Sequence, residues 1–308
     1  MSIALISKDR DFSELRDCIL NLDASIDVQK WPKVEDKTSV RMAVCWRIPP
    51  NTLQNFPHLQ LIQSYGAGVS ELLLDSTIPQ HVPISRLILP SLAHDMLSYI
   101  EWRLKHIEFR GHTYEQQQKS IEWNPLEKVD MSATPIGVLG LGALGAKVAT
   151  GLAEMGYKVK GWSLRKKDLP GVDCFGEMEL NEFLSRVQIL VCLLPLTPAT
   201  EGILNLELFK KLLQPARIIN VGRGPHLVDE DLLYAMDIGL ISEAYLDVFS
   251  TEPLPENHPF WNRSHIHITP HIASRTRSED AAKLIVENYK RISSGMVAQF
   301  LVDREVGY

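Results

Sequence analysis

The segment Val138-Leu139-Gly140-Leu141-Gly142-Ala143-Leu144-Gly145 ends an apolar run in three glycines spaced G-x-G-x-x-G, and a helical pattern over residues 146–155 follows. This order restricts the possible folds more than any other feature of the chain. Gly140 permits a tight turn after a strand. Gly142 carries no side chain to hold a phosphate away from the backbone, and Gly145 lets the helix pack close to a sheet. The start of that helix, including Ala143 and Leu144, offers N–H groups and the positive end of a dipole to a pyrophosphate. Strand, glycines and helix in this order predict a dinucleotide-binding βαβ unit rather than an ordinary glycine-rich turn.

The motif begins only after a full α/β series. Residues 3–6, 42–46 and 59–64 read as strands, and 12–22 has helical periodicity through Phe12, Leu15, Ile19 and Leu22. Residues 82–89 are apolar but interrupted by Pro83, and Ser91 is placed to cap a long helix over 92–109. A polar stretch containing Gln116, Gln117 and Gln118 leads to Pro135. A second series then has strands near 136–139, 157–162, 189–193, 217–220, 241–247 and 267–269, a helix over 229–236 with Asp229 as its cap, and a last helix over 276–293. Such alternation predicts parallel βαβ units, and a chain of 308 residues accommodates about two domains.

Several function classes are disfavoured. A net charge of -6 argues against a nucleic-acid partner. No apolar run approaches the roughly 20 residues that span a bilayer, and Lys8, Asp9 and Arg10 interrupt the apolar start before a signal-peptide core forms. Cys18, Cys45, Cys174 and Cys192 have neither metal-ligand spacing nor a disulfide pattern, and Cys45 and Cys192 sit in apolar runs. This usage suits a reducing compartment. The expectation is a cytoplasmic protein with no membrane association.

Four places carry candidate chemistry. After the second strand of the dinucleotide unit comes Trp162-Ser163-Leu164-Arg165-Lys166-Lys167, with no acid before Asp168. An acid here would accept from a ribose 2′-hydroxyl, whereas Arg165 suits a 2′-phosphate. The segment therefore reads as NADP(H)-preferring, with a solvated basic loop as the alternative. Next, Val221-Gly222-Arg223-Gly224 puts an arginine at a strand's carboxyl end, able to grip a planar carboxylate or to serve as a structural turn residue. Then Asp247 ends a strand and Glu252 follows in a proline-bounded loop. Last, Thr269-Pro270-His271 places a histidine just beyond a strand. A nearby carboxylate would help His271 hold a proton for delivery to a carbonyl oxygen. A metal site on His265, His267 and His271 is disfavoured because Pro270 breaks the register and no carboxylate or thiolate cluster accompanies them. No metal is expected, and His267 reads as an ordinary strand residue.

Together, G-x-G-x-x-G, N-V-G-R-G, D-V-F-x-x-E-P and T-P-H-I-A stand in the order and at the spacing of the D-2-hydroxyacid dehydrogenases, and the chain resembles that family over nearly its whole length. Within it, Ser64-Tyr65-Gly66-Ala67-Gly68-Val69, Gly161-Trp162-Ser163 and the tail from Val302 to Tyr308 are most similar to the bacterial glyoxylate/hydroxypyruvate reductases of the A type. The resemblance implies two doubly wound parallel-sheet α/β domains: a Rossmann cofactor domain over 99–280, and a smaller flavodoxin-like substrate domain over 1–98 to which 281–308 returns. It also implies an active-site cleft between them and a homodimer. Arg223 would hold the substrate's carboxylate and carbonyl oxygen, His271 would be general acid, and Glu252 its partner. Gly68 and Val69 would bind the carboxylate through backbone N–H groups. Asp247 would accept from the nicotinamide carboxamide; Pro195 and Thr197 would line the adenosine side; Ser163, Arg165 and Lys166 would stand at the ribose. Trp46 reads equally as a pocket-lining residue and as a strand-end core aromatic. The chain departs from NAD-using members at the missing acid, and Leu164 stands where the A-type pattern leads one to expect another cation. The implied activity is NADPH-dependent reduction of glyoxylate to glycolate and of hydroxypyruvate to D-glycerate, with NADH as a second cofactor. Reduction of another small 2-ketoacid, or a non-catalytic NAD(P)-sensing module, are the alternatives.

Overall fold

The structure, a computed structural model, describes residues 1–307; Tyr308, the last residue of the tail, lies outside them. The chain runs β1 (Ser2–Ser7), α1 (Ser13–Leu22), β2 (Asp27–Lys30), β3 (Val40–Trp46), β4 (Leu61–Ser64), α2 (Ser70–Leu74), β5 (Ile84–Ser85), α3 (Pro90–Glu108) and α4 (Gly111–Lys119). It continues β6 (Ile136–Leu139), α5 (Ala143–Glu154), β7 (Val159–Trp162), β8 (Val172–Phe175), α6 (Leu180–Leu184), β9 (Ile189–Cys192), α7 (Leu206–Phe209) and β10 (Ala216–Asn220). The last elements are α8 (Asp229–Asp237), β11 (Ile241–Leu246), β12 (Ile266–Ile268) and α9 (Ser278–Ser293).

One unit comprises Met1–Ser91 and the segment from Thr276 onward. Its sheet has the order β2-β1-β3-β4-β5, and every pairing is parallel. The C-terminal segment is stitched in by Asn288, a fully buried amide. Its Nδ2 donates to Gln63 Oε1 at 3.0 Å and Ser85 Oγ at 3.2 Å, while its Oδ1 accepts the Gln299 N–H at 2.7 Å.

The other unit is continuous, Leu92–Arg275. Its sheet, β12-β11-β10-β9-β6-β7-β8, is parallel throughout. Neighbours in each strand alternate between faces: Leu139, Cys192 and Ile218 join one buried cluster, and Val138, Val191 and Ile219 the other. Burial on both faces explains the unbroken apolar runs. The order of winding reverses between β6 and β9, and ligands of such sheets bind beyond the carboxyl ends of the strands at that point.

Several local expectations need correction. The strands β2 and β8 went unpredicted because each is the outermost strand of its sheet, where half-solvated sequences such as Asp27-Val28-Gln29-Lys30 carry no apolar run. The polar stretch contains the helix α4. Proline, suited to a helix's first turn, begins α3, so Ser91 lies inside that turn and does not cap it. Asp229 is the first residue of α8, after Val228 at the cap position, and its carboxylate instead meets His258 Nε2 at 3.3 Å. The break between units falls earlier than 98/99 because Met96, Tyr99, Ile100 and Leu104 of α3 pack into the core of the continuous unit. It falls earlier than 280/281 because the Thr276 hydroxyl already bonds to the Tyr65 carbonyl, at 3.2 Å. Among the described residues no helix is long and apolar enough to cross a membrane.

Candidate active site

The glycine turn after β6 is built by close approach. Gly140 has φ of 111°, a region that favours glycine. A Cβ on Gly145 would lie 1.8 Å from the Gly140 carbonyl oxygen, so α5 rests on the turn itself. At Gly142, the cap position of α5, nothing lies within 4 Å of where a Cβ would be. Gly142 leads directly into a twelve-residue helix, whose first amides have no partners within the helix. The cradle therefore fits a pyrophosphate. Ala143, Leu144 and Gly145 supply its N–H groups.

Beyond β7, the Ser163 hydroxyl donates to the Arg165 carbonyl at 2.7 Å. Lys166 pairs with Glu179 Oε1 at 2.9 Å, and the other Glu179 oxygen accepts the Gly176 N–H at 2.7 Å. Arg165 and Asp168 are exposed. Beyond β9, Pro195 and Thr197 lie in a loop tied by Thr200, whose hydroxyl donates to the Pro195 carbonyl at 2.6 Å and accepts the Thr197 N–H at 2.9 Å.

The sequence reading did not single out His226, which fixes the backbone at Arg223. This histidine is fully buried, and burial pushes it down to about 4. The neutral ring accepts the Arg223 N–H at Nδ1, 3.0 Å away, so its proton is on Nε2, which donates to the Pro195 carbonyl at 3.2 Å. Asn220, also fully buried, accepts the Gly222 N–H and donates to the Arg223 carbonyl, both at 3.2 Å. A histidine three residues after the arginine was the available signal. Gly224 is required by packing: a Cβ there would lie 1.8 Å from the Phe249 carbonyl carbon. The loop bearing Arg223 thus abuts the one leading to Glu252.

His271 has φ of 53°, uncommon outside glycine and consistent with a position held by its surroundings. Its Nδ1 lies 2.9 Å from Glu252 Oε2, and Glu252 Oε1 accepts the Phe249 N–H at 3.1 Å. The ring is part-exposed, and Nε2 is the nitrogen left for a ligand. Asp247 holds the segment. Its Oδ1 accepts from the Thr269 hydroxyl at 2.7 Å and the Ile272 N–H at 2.9 Å, and its Oδ2 from the Ala273 N–H at 2.8 Å. Burial pushes its carboxyl above the ordinary value despite those donors. Behind Thr269, Arg103 donates to Tyr99 Oη at 3.0 Å and Tyr99 meets Thr269 Oγ1 at 2.5 Å, a buried chain from guanidinium to carboxylate.

In the other unit, Trp46 ends β3, partly buried, with the Arg10 guanidinium 4.8 Å above its ring. Gly68 and Val69 follow β4 just before α2, and the Gly68 carbonyl accepts from Ser64 Oγ at 3.1 Å.

Residues 106–273 match the family model described as D-isomer specific 2-hydroxyacid dehydrogenase, NAD binding domain. The chain is 40% identical over 290 residues to the glyoxylate/hydroxypyruvate reductase A of Photorhabdus laumondii, covering 92% of each. It is 38% identical to that of Serratia proteamaculans over 91% of each. Among solved structures, it is similar to a D-isomer specific 2-hydroxyacid dehydrogenase from Xanthobacter autotrophicus Py2 in complex with NADPH and MES, with a TM-score of 0.96, 35% identity and coverage of 100% of this chain and 99% of that one. It is also similar to the NADPH-dependent glyoxylate/hydroxypyruvate reductase of Sinorhizobium meliloti in complex with NADP and sulfate, with a TM-score of 0.94, 31% identity and full coverage of both. A family model that matches more than half of the chain and a relative 40% identical over 92% of it show that this chain belongs to the D-isomer specific 2-hydroxyacid dehydrogenase family.

Proposed function

We propose that this enzyme reduces glyoxylate to glycolate and hydroxypyruvate to D-glycerate with NADPH. The observation that carries the reading is the 2.9 Å bond between His271 Nδ1 and Glu252, which leaves Nε2 to deliver a proton. The relatives named above, two of them glyoxylate/hydroxypyruvate reductases A and one an NADPH-dependent reductase, support the substrate and cofactor.

When bound, NADPH supplies the hydride. Arg223 grips the ketoacid's carboxylate and carbonyl oxygen through its planar fork, with the Gly68 and Val69 N–H groups on the carboxylate and Trp46 lining the pocket. As negative charge develops on the carbonyl oxygen, His271 Nε2–H gives up its proton to it. The Glu252 carboxylate stabilises the protonated imidazole before transfer, and in the reverse direction the neutral ring takes the proton back. Asp247 has lone-pair capacity left beyond its three accepted bonds for a carboxamide donor. Arg165, with Ser163 and Lys166 beside it, meets the 2′-phosphate, and Pro195 and Thr197 the adenosine side. NADH serves less well.

The protein acts as a homodimer, a reading supported by Ile121 and Trp123, which are 97% and 98% exposed just after α4. Four unbridged cysteines support a cytoplasmic location. The test is loss of NADPH absorbance over a panel of 2-ketoacids. Glyoxylate and hydroxypyruvate should be the best substrates. Faster turnover of a bulkier ketoacid would reassign the substrate, and binding of NADPH without oxidation by any of them would make the chain a sensing module.

A further inference from the structure

The edge strand β12 and the helices α3 and α4 collect a group of side chains that the proposed reaction does not use. The His106 ring lies 4.9 Å from that of His267, and the His112 ring lies 4.1 Å from that of His265 and 5.4 Å from that of His267. Tyr245 stacks on His267 at 4.4 Å. One ligand atom each from His106, Glu115 and His267 all lie within 4.8 Å of one another.

The hydrogen bonding leaves a gap for a cation. Glu243 is paired with Arg217, Nε to Oε1 at 3.0 Å, and accepts the Tyr245 hydroxyl proton at its Oε2, 2.7 Å away. Tyr245 has no second proton, so toward His106 its oxygen can only accept. The His106 proton therefore sits on Nδ1, 3.0 Å from Tyr245 Oη. Nε2 then faces Glu115 Oε1 at 3.1 Å, a contact that either a second ring proton or a cation completes. Two ring nitrogens are buried without a hydrogen bond: His112 Nδ1, on a residue 7% exposed, and His267 Nε2, which has the Glu243 carboxylate 3.5 Å away as an ion-pair contact. Such buried groups call for a partner. The seat of His106 is shaped by Gly111, where a Cβ would come within 2.3 Å of the imidazole.

We propose that His106, His267 and Glu115 bind a divalent transition-metal ion, zinc being the ion that two imidazoles and a carboxylate suit. Zinc takes such ligands at about 2.1 Å, hence about 3.4 Å from one another in a tetrahedron. From the present spacing, within 4.8 Å, the two imidazoles and the exposed Glu115 side chain each have to move in by about an ångström or less. The Tyr245 hydroxyl is then an outer-sphere partner that fixes the His106 tautomer, as metal-bound imidazoles require. The ligands come from α3, α4 and β12. The ion would fasten two helices to the strand that runs into the His271 segment, with water in the fourth position.

The test uses the full chain stripped with a chelator and titrated with zinc ion alone against a chromogenic competitor. One equivalent should bind more tightly than about 10 µM, and the melting temperature should rise on zinc addition. His106→Gln and Glu115→Gln should each weaken binding about tenfold or more and abolish the thermal shift, while His58→Gln, at an exposed position, leaves both unchanged. Cobalt in place of zinc should give a visible tetrahedral spectrum that the ligand variants lose. If His106→Gln fails to fold, Glu115→Gln still decides, since its exposed side chain is dispensable for packing. Binding weaker than about 10 µM, or affinity unchanged in Glu115→Gln, overturns the proposal and leaves the space between His106 and Glu115 to a proton.

Discussion

Glu252 holds His271 with one carboxylate oxygen and the Phe249 backbone with the other, at 2.9 and 3.1 Å. The partner of the imidazole is thereby fixed by main chain rather than by a rotamer alone. Glu252→Gln preserves that shape and removes the charge. The charge that stabilises the imidazolium formed in the reverse reaction and held before transfer in reduction is then gone, so the folded variant should reduce glyoxylate about tenfold or more slowly while still binding NADPH. Unchanged kcat/KM would uncouple Glu252 from the proton transfer.

His271→Asn removes the proton donor. Turnover should drop about 10²- to 10⁴-fold, while NADPH binding, followed by fluorescence, stays near normal because the cradle at Gly140 to Gly145 is untouched. Near-normal turnover in the folded variant would place the acid elsewhere.

Arg223→Lys keeps a cation and loses the fork. Because the same group holds the ketoacid before and during reaction, KM should rise and kcat should fall together. Unchanged kinetics would return Arg223 to a turn role maintained by His226 and Asn220.

Cofactor choice tests the loop after β7. Arg165→Ala should weaken NADPH use about tenfold, from the loss of one charge-assisted contact of about 1.5 kcal/mol, and leave NADH use nearly unchanged. Ser163→Asp should go further by repelling the phosphate and offering the 2′-hydroxyl an acceptor. Measured kcat/KM values for both cofactors at fixed glyoxylate decide it; a parent enzyme that prefers NADH would refute the assignment.

His226 makes stability depend on pH. Its folded value of about 4 lies below that of an unfolded chain, about 6.5. Between those values the unfolded chain binds the extra proton, so stability is intact above about pH 6.5 and declines as pH falls toward 4, by about 3 kcal/mol in all. Urea titrations over this range should show a steeper decline for the parent than for His226→Asn. Parallel declines would mean that another group carries the acid sensitivity.

The legible parts of the chain were those with a local cause. A central parallel strand buried on both faces must be apolar, so β6, β9, β10 and β11 announced themselves, as did glycines whose absent Cβ makes room. Arg223, Glu252 and His271 could be picked out because each follows a strand end. What was hidden depends on distant partners. The helix α4 lacks an apolar stripe, and only Gln117 and His112 on it are buried. His226 looked like any histidine until its two ring nitrogens found Arg223 and Pro195. Likewise His267 read as a plain strand residue, because its neighbours His106 and Glu115 stand more than a hundred residues earlier.

All the residues proposed to handle hydride and proton, from Gly140 to His271, belong to the uninterrupted unit Leu92–Arg275, whereas Trp46, Gly68 and Val69 belong to the unit made from both chain ends. With the roles proposed, side chains that shape the far end of the ketoacid can change in the unit made from both chain ends while Arg223, Glu252 and His271 stay as they are in the other. A lineage built this way can change diet without relearning its reaction.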